Sequence, residues 1–314
     1  MLALLVVNPQ ATSTTPAGRD VLAHALASDV KLEVLETTYR GHAVDAAREA
    51  AADGYDLVVV HGGDGTVNEV VNGLLTDGPT RRTPMLGVVP GGSANVFAGA
   101  LGLPKDPVEA TYRLLRAIES GSSRRIGLGR ADDRWFTFNA GVGWDAAVVD
   151  AVDARRRKRA SPTLYVRAAL AAYAQQVRRP PELTMEVPGA EPAESGDTEW
   201  ISIEGIRAAV VCNTNPWTYL RSRPLRLVPG CSFDTGLGVL ALRSLALPTV
   251  LRHGATILRG AKYPRGRQLV RHDNVPHLRV ISSAPVPIQV DGDLVGERTG
   301  VLFTAVPDAL RVAV

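Results

Sequence analysis

Two cysteines, Cys212 and Cys231, among 314 residues are too few for a disulfide framework. No C-x-x-C pair or Cys/His cluster suggests zinc, so both read as small core residues of a reducing compartment. Aromatic residues make up only 5% of the chain, and lysine is scarce. No apolar run approaches the ~20 residues of a spanning helix, so any membrane contact is expected at the surface. The first residues, Met1-Leu2-Ala3-Leu4-Leu5-Val6-Val7, lack a basic leader and read as a strand rather than a signal peptide. A formal charge of +3 is too mild to imply nucleic acid, and it suits an anionic lipid surface only where locally concentrated. No G-x-x-x-x-G-K-[ST] occurs, which excludes a Walker P-loop, and there is no internal repeat.

What is present is 45% hydrophobic, enough for substantial cores and two domains. In the first third, residues 2–7, 31–35, 57–60 and 85–89 read as strands. Between and after them, residues 21–26, 42–52, 67 onward, 94 onward and 107–119 read as helices. This repetition predicts a parallel sheet covered on both faces, with ligands at the carboxyl ends of its strands. Past about residue 125, strand-like runs at 134–138, 206–212, 239–242, 278–281 and 286–290 are separated by Gly and Pro turns. The expectation is an α/β fold: a parallel-sheet nucleotide domain over 1–125, then a β-rich, sandwich-like domain over 126–314 whose last strand packs back on the first. One helical region, near 164–177, follows the basic run Arg155-Arg156-Arg157-Lys158-Arg159, and 186–198 reads as a polar loop.

The richest stretch is Leu57-Val58-Val59-Val60-His61-Gly62-Gly63-Asp64-Gly65-Thr66-Val67-Asn68-Glu69. A strand buried on both faces runs into three glycines around one acid. Thr66 and Glu69 have the spacing of a capping box, so a helix is expected to start there, with Val67, Val70, Val71, Leu74 and Leu75 as its apolar face. Glycines let backbone N–H groups approach an anion, and a helix N-terminus adds partial positive charge, so the element reads as a phosphate cradle. Asp64 is out of place against a bare anion. It makes sense with Mg²⁺ between it and the phosphates of a nucleoside triphosphate. A second such element is Pro90-Gly91-Gly92-Ser93-Ala94-Asn95, where Ser93 is a helix cap or a phosphate-facing hydroxyl. Phe138-Asn139-Ala140-Gly141-Val142-Gly143-Trp144-Asp145 reads as a further glycine-rich turn, and Val290-Asp291-Gly292-Asp293 as an acidic turn after a strand. The plain alternative for both Asp-Gly motifs is an ordinary turn facing solvent.

In this order and spacing the motifs resemble the bacterial diacylglycerol kinase-like lipid kinases, whose fold is shared with sphingosine, ceramide and NAD kinases. The resemblance covers nearly the whole chain. It implies ATP and Mg²⁺ as cofactors, ATP held between the domains, and transfer of the γ-phosphate to a lipid hydroxyl. It implies nucleotide contacts from Asn8, Pro9, Thr37, Gly62, Gly63, Asp64, Gly65, Thr66, Asn68, Glu69, Gly92, Ser93 and Asn95. It makes Asp293 the general base, where the family has Glu, with Asp291 as the alternative and Asp64 serving Mg²⁺. Two departures stand out: Val96 where many bacterial diacylglycerol kinases have Asp, and Thr235 where the family's structural Mg²⁺ loop carries Asp. The positions of that loop here are Ser232, Thr235 and Leu237, with Asp234 one residue off register. The rival readings are a soluble-substrate kinase such as an NAD kinase, and a nucleotide-binding regulator without catalysis. Expected partners are the lipid substrate, a second copy of the chain, and an anionic membrane surface met by the 155–159 run, which otherwise is a solvated loop. No nucleic acid is expected. The expected place is the cytoplasm, at the inner face of the plasma membrane.

Overall fold

The structure is a computed structural model and describes residues 1–143, 180–189, 199–220, 223–259 and 266–314. The chain forms two compact units: Met1–Leu128 with Pro307–Val314, and Gly129–Val306.

In the first unit, strands β1 (Leu2–Val7), β2 (Lys31–Glu36), β3 (Leu57–Gly62) and β4 (Met85–Pro90) pair in parallel in the order β2-β1-β3-β4. Five helices belong to it: α1 (Pro16–Ala27), α2 (His42–Ala52), α3 (Asp64–Leu74), α4 (Val96–Ala100) and α5 (Pro107–Ser120). Every position of β3 and β4 is buried, as expected for continuous apolar runs covered on both faces. Leu5, Val7, Leu57 and Val59 pack against α1 and α5 through Leu22, Leu26, Leu114 and Ile118. Strand alternation sends the intervening residues to the other face, which α2 and α3 cover. These two helices approach closely because their contact is built from small residues. Ala43, Ala46, Ala47 and Ala50 are buried on α2, and a Cβ on Gly73 would stand 2.3 Å from the Val44 carbonyl oxygen. Two helix starts are set by side chains: Thr15 accepts the Gly18 N–H at 3.0 Å and Asp106 accepts the Glu109 N–H at 2.9 Å, each just before a proline. The chain returns to this sheet at its far end, where Val312 pairs with Leu86 in parallel.

Strand β5 (Arg124–Ala131) leads into the second unit and pairs with β6 (Arg134–Phe136). Then follow β7 (Asn139–Gly143), β8 (Leu183–Pro188), β9 (Trp200–Ile206), β10 (Ala208–Cys212), β11 (Thr218–Leu220), β12 (Arg223–Leu225) and β13 (Leu237–Leu242). Helix α6 (Leu247–Leu258) precedes β14 (Leu269–Val275), β15 (His277–Val290) and β16 (Asp293–Val312). The strands run antiparallel in the order β14-β13-β10-β7-β15-β16. β15 is shared: residues 279–282 pair with β8 and 288–290 with β7. Phe136 and Phe303 meet edge to face at 6.3 Å within a core that includes Met185, Leu278 and Ile288.

The fold is thus α/β, a parallel-sheet unit with a β-rich unit. The structure corrects the expected elements in detail. Runs 278–281 and 286–290 are one strand, β15, with a register shift between them. Run 206–212 is the end of β9 and all of β10. The glycine-rich run expected as a turn is strand β7, buried at all five positions. Helix α6 stands where none was expected. Residues 186–188 of the expected loop close β8. Its residues 190–198, the 155–159 run, the helical region near 164–177, Trp144 and Asp145 lie outside the described residues. Among the described residues no helix is long and apolar enough to cross a membrane.

Candidate functional site

In the first unit the carboxyl ends of β1, β3 and β4 bring three loops into contact. The Asn8 N–H donates to the His61 carbonyl at 3.0 Å, the Gly91 N–H to Gly62 at 2.8 Å, and the Ser13 N–H to Gly91 at 2.8 Å. The Asn8 side chain spans two loops: its Nδ2 donates to Thr66 Oγ1 at 3.0 Å and its Oδ1 accepts the Gln10 N–H at 2.9 Å. Pro9 beside it is exposed. Glycine is required where the loops cross. A Cβ on Gly92 would lie 2.6 Å from Gly63 Cα, and one on Gly63 would lie 3.3 Å from Gly92 Cα.

Helix α3 begins three residues earlier than the Thr66–Glu69 spacing predicts. Gly63 is its N-cap residue, with extended backbone and no side-chain cap. The capping box is not formed, because both partners are used elsewhere. Thr66 accepts from Asn8, and Glu69 Oε1 accepts the Gly41 N–H at 3.0 Å, tying α3 to the start of α2. The first-turn N–H groups of an eleven-residue helix therefore have no side-chain cap, which is the arrangement that receives an anion. Above them Gly65 is exposed, and a Cβ there would meet no atom within 4 Å.

Asp64 turns its carboxylate toward the start of α4, where Oδ1 accepts the Phe97 N–H at 3.1 Å. Burial pushes its pKa up, against the pull of the backbone N–H groups of Phe97, Val96 and Asn95. Ser93 does not cap that helix. It is exposed at the loop tip, and α4 starts at Val96 behind Asn95, whose φ is +49°. Asn95 closes the loop on itself: Oδ1 accepts the Gly92 N–H at 2.9 Å and Nδ2 donates to the Gly92 carbonyl at 2.7 Å. Asn68 is fully buried and accepts from Asn72 Nδ2 at 3.1 Å, so it serves the inside of α3. Thr37 follows β2 and donates its N–H to the Val7 carbonyl at 2.9 Å.

Two residues that motif reading passed over also sit here. The hydroxyl oxygen of Thr14 is buried without a hydrogen-bond partner, and a Cβ on Gly91 would lie 2.8 Å from it. His61 is buried with Nδ1 3.2 Å from the Val89 carbonyl oxygen, and burial lowers its pKa. An uncapped helix start, open space over Gly65, an orphaned hydroxyl and one half-buried carboxylate fit a nucleotide's phosphates with Mg²⁺. Among the described residues no three His, Cys, Asp or Glu side chains gather to hold a metal.

In the second unit, β15 and β16 join through Asp291-Gly292, both at positive φ, 49° and 83°. This is the two-residue hairpin for which Asp-Gly is suited. Asp291 faces inward. Its carboxylate accepts the N–H groups of Thr137 (2.6 Å), Phe138 (3.0 Å) and Asn139 (3.1 Å) and the Thr137 hydroxyl (2.8 Å). Burial nevertheless pushes its pKa up to about 6. Gln289 completes the corner, donating to Asn139 Oδ1 at 2.9 Å and accepting the Gly292 N–H at 2.8 Å. Asp291 thus fastens the β6–β7 turn to the hairpin, and four donors occupy its oxygens. Asp293, two residues on, keeps a side chain 27% exposed, 4.0 Å from Arg134 Nη2.

The loop before β13 does not fit the expected structural Mg²⁺. The Ser232 carbonyl accepts both the N–H and the hydroxyl of Thr235, at 3.1 and 3.0 Å, and Thr235 Oγ1 accepts the Ser232 N–H at 3.0 Å. Asp234 is exposed, and Leu237 is buried in β13. The threonine closes the turn that a carboxylate–metal pair would otherwise close.

Residues 2–131 match the sequence family described as Diacylglycerol kinase catalytic domain. A diacylglycerol kinase of Bacillus subtilis (strain 168) is 42% identical over 107 residues, 34% of this chain and 33% of that protein. A protein of Chromohalobacter salexigens named probable lipid kinase YegS-like is 37% identical over 150 residues, 48% of this chain and 46% of that protein. The chain therefore spans less than half the length of these two relatives. A solved diacylglycerol kinase from Bacillus anthracis str. Sterne superposes with a TM-score of 0.71 at 18% identity, covering 99% of this chain and 96% of that one, which establishes a common fold.

Proposed function

We propose that this protein is an ATP-dependent lipid kinase that transfers the γ-phosphate to a lipid hydroxyl. The observation that carries the reading is the glycine crossing at Gly63 and Gly92, beside the uncapped start of α3 and the Asp64 carboxylate. Bound Mg·ATP supplies the phosphoryl group and a leaving group of neutralised charge. The chain supplies positioning and electrostatics, which dominate such transfers. First-turn N–H groups of α3 receive phosphate oxygens, and the Asn8–Thr66 bond fixes the loop beneath them. Asp64 holds the start of α4 and would also face the metal of bound Mg·ATP. Asp293, the less buried acid of the hairpin, accepts the hydroxyl proton, and Asp291 holds the turn that carries it.

The lipid acceptor is supported by the names of the relatives, one a diacylglycerol kinase and one a probable lipid kinase. The test is transfer of labelled γ-phosphate from Mg·ATP to a total lipid extract in mixed micelles, with NAD as a parallel acceptor. A labelled lipid is expected. Label on NAD instead would make this a soluble-substrate kinase, and ATP binding without any labelled product would make it a nucleotide-binding regulator.

A further inference from the structure

Residues 235–272 contain no Asp or Glu and seven Lys or Arg. Helix α6 lies inside this stretch and is barely covered by the unit that carries it. His253 is its only buried residue, while Leu247, Leu251 and Leu258 are 53%, 62% and 46% exposed. At about 100° per residue these leucines fall within about 40° of arc and form one ridge. Arg252 and Arg259 lie together roughly 100° further round. Arg252 also lines, with Arg267, Thr249 and Gln268, a cleft of about 300 Å³, so positive charge converges on one flank of the helix. Among the described residues none of these three arginines has a carboxylate partner. A helix with an exposed apolar ridge, and a basic flank that meets no carboxylate among the described residues, is out of place in bulk water.

We propose that α6 docks this protein on an anionic lipid bilayer. Leu247, Leu251 and Leu258 enter the interface, and Arg252, Arg259 and Arg267 meet lipid phosphates at headgroup depth. Charge argues against a second copy as the occupant: a two-fold contact through α6 would set one acid-free stretch against another. A convex ridge also suits a fluid plane better than it suits a pocket. The inference deepens the lipid-kinase reading, since it brings the chain to where such substrates reside. Its test stands apart, because vesicle binding needs no ATP and transfer in mixed micelles needs no bilayer.

The experiment is co-sedimentation of the full chain with phosphatidylcholine vesicles, alone or mixed with phosphatidylglycerol. Binding is expected to the mixed vesicles and to fall with added salt. Arg252→Gln with Arg259→Gln should weaken it roughly 20- to 30-fold, at about fivefold per charge. Leu251→Gln should weaken it as well, and the circular dichroism and melting of both variants should match the parent, since these side chains are exposed. Equal binding to both vesicle types overturns the proposal, as does parental binding by the double arginine variant. Loss seen only on replacing Arg155–Arg159 would assign docking to that run and overturn it too. So would a dimer in sedimentation velocity that Leu251→Gln breaks while vesicle binding is unchanged.

Discussion

Three alanine substitutions in the glycine loops separate packing from ligand binding. A methyl at Gly92 would lie 2.6 Å from Gly63 Cα, about 1 Å inside ordinary carbon–carbon contact. The atom in the way is backbone, so the two loops must part by about that ångström. Overpacking of this kind costs about 1–3 kcal/mol, and an ångström of displacement at a catalytic centre costs ~10² in rate. At Gly63 the corresponding distance is 3.3 Å, and a few tenths of an ångström of movement relieves it. At Gly65 no atom lies within 4 Å, and the position is inside α3, where alanine is preferred to glycine by roughly 0.8–1 kcal/mol. Gly65→Ala should therefore melt no lower than the parent, Gly63→Ala slightly lower, and Gly92→Ala lowest. ATP affinity, measured by calorimetry, should follow a different order. Gly65→Ala should lose affinity despite its stability, because its methyl fills the space above the helix start. Parental melting of Gly92→Ala would refute the loop contact. Parental ATP affinity of Gly65→Ala would remove phosphate from the start of α3.

The two acids of the hairpin should respond oppositely. Asp293→Asn is expected to lower kcat by about 10²–10⁴ with ATP affinity and melting unchanged, whereas Asp291→Ala strands four buried donors and should lower unfolding free energy by about 3–5 kcal/mol in urea melts. Unchanged kcat in Asp293→Asn would exclude it as the base. Asp291 also predicts a pH dependence. Its carboxyl rises from 3.8 to about 6 on folding, so between those values the native state holds a proton that the unfolded chain has lost. The stabilisation is complete below the unfolded value and is lost as pH rises through the folded one, about 3 kcal/mol in all. The difference between parent and Asp291→Asn should change by that amount across this window, and a flat difference would contradict the shift. For the Ser232–Thr235 turn, EDTA should leave the melting temperature of the nucleotide-free protein unchanged, while Thr235→Val should lower stability by about 1–2 kcal/mol. A clear drop with EDTA alone would show that a structural metal is needed after all.

The parallel sheet could be read from sequence because β1, β3 and β4 are buried apolar runs whose type is set locally. The exact start of α3 could not, since Thr66 and Glu69 have the spacing of a cap but bond to Asn8 and Gly41, partners far away in the chain. β7 reads as a turn because of the glycines at 141 and 143, while pairing with β10 and β15 on either side makes a strand of them. Ser282-Ser283-Ala284-Pro285 reads as a break in β15, yet one strand runs through it with a shift in register. α6 gave no sign because its N-cap residue is Ala246 and its leucine ridge faces away from the core. The roles of Asp291 and Asp293 could not be told apart from Asp-Gly-Asp. Only the three-dimensional path of residues 137–139 shows which acid is used for holding.

The return of residues 307–314 to the first unit has a consequence for synthesis and dissection. Leu310, Val312 and Ala313 are buried there, and the Ala313 N–H bonds the Leu86 carbonyl at 2.9 Å. A ribosome thus delivers four strands of a sheet early and the segment that covers the flank of β4 only after the entire second unit has emerged. Until then that flank offers unpaired backbone groups to any neighbouring chain. A recombinant fragment cut at residue 131 would keep the same open edge permanently, so the stretch matched by the family model is shorter than the stretch that completes its sheet.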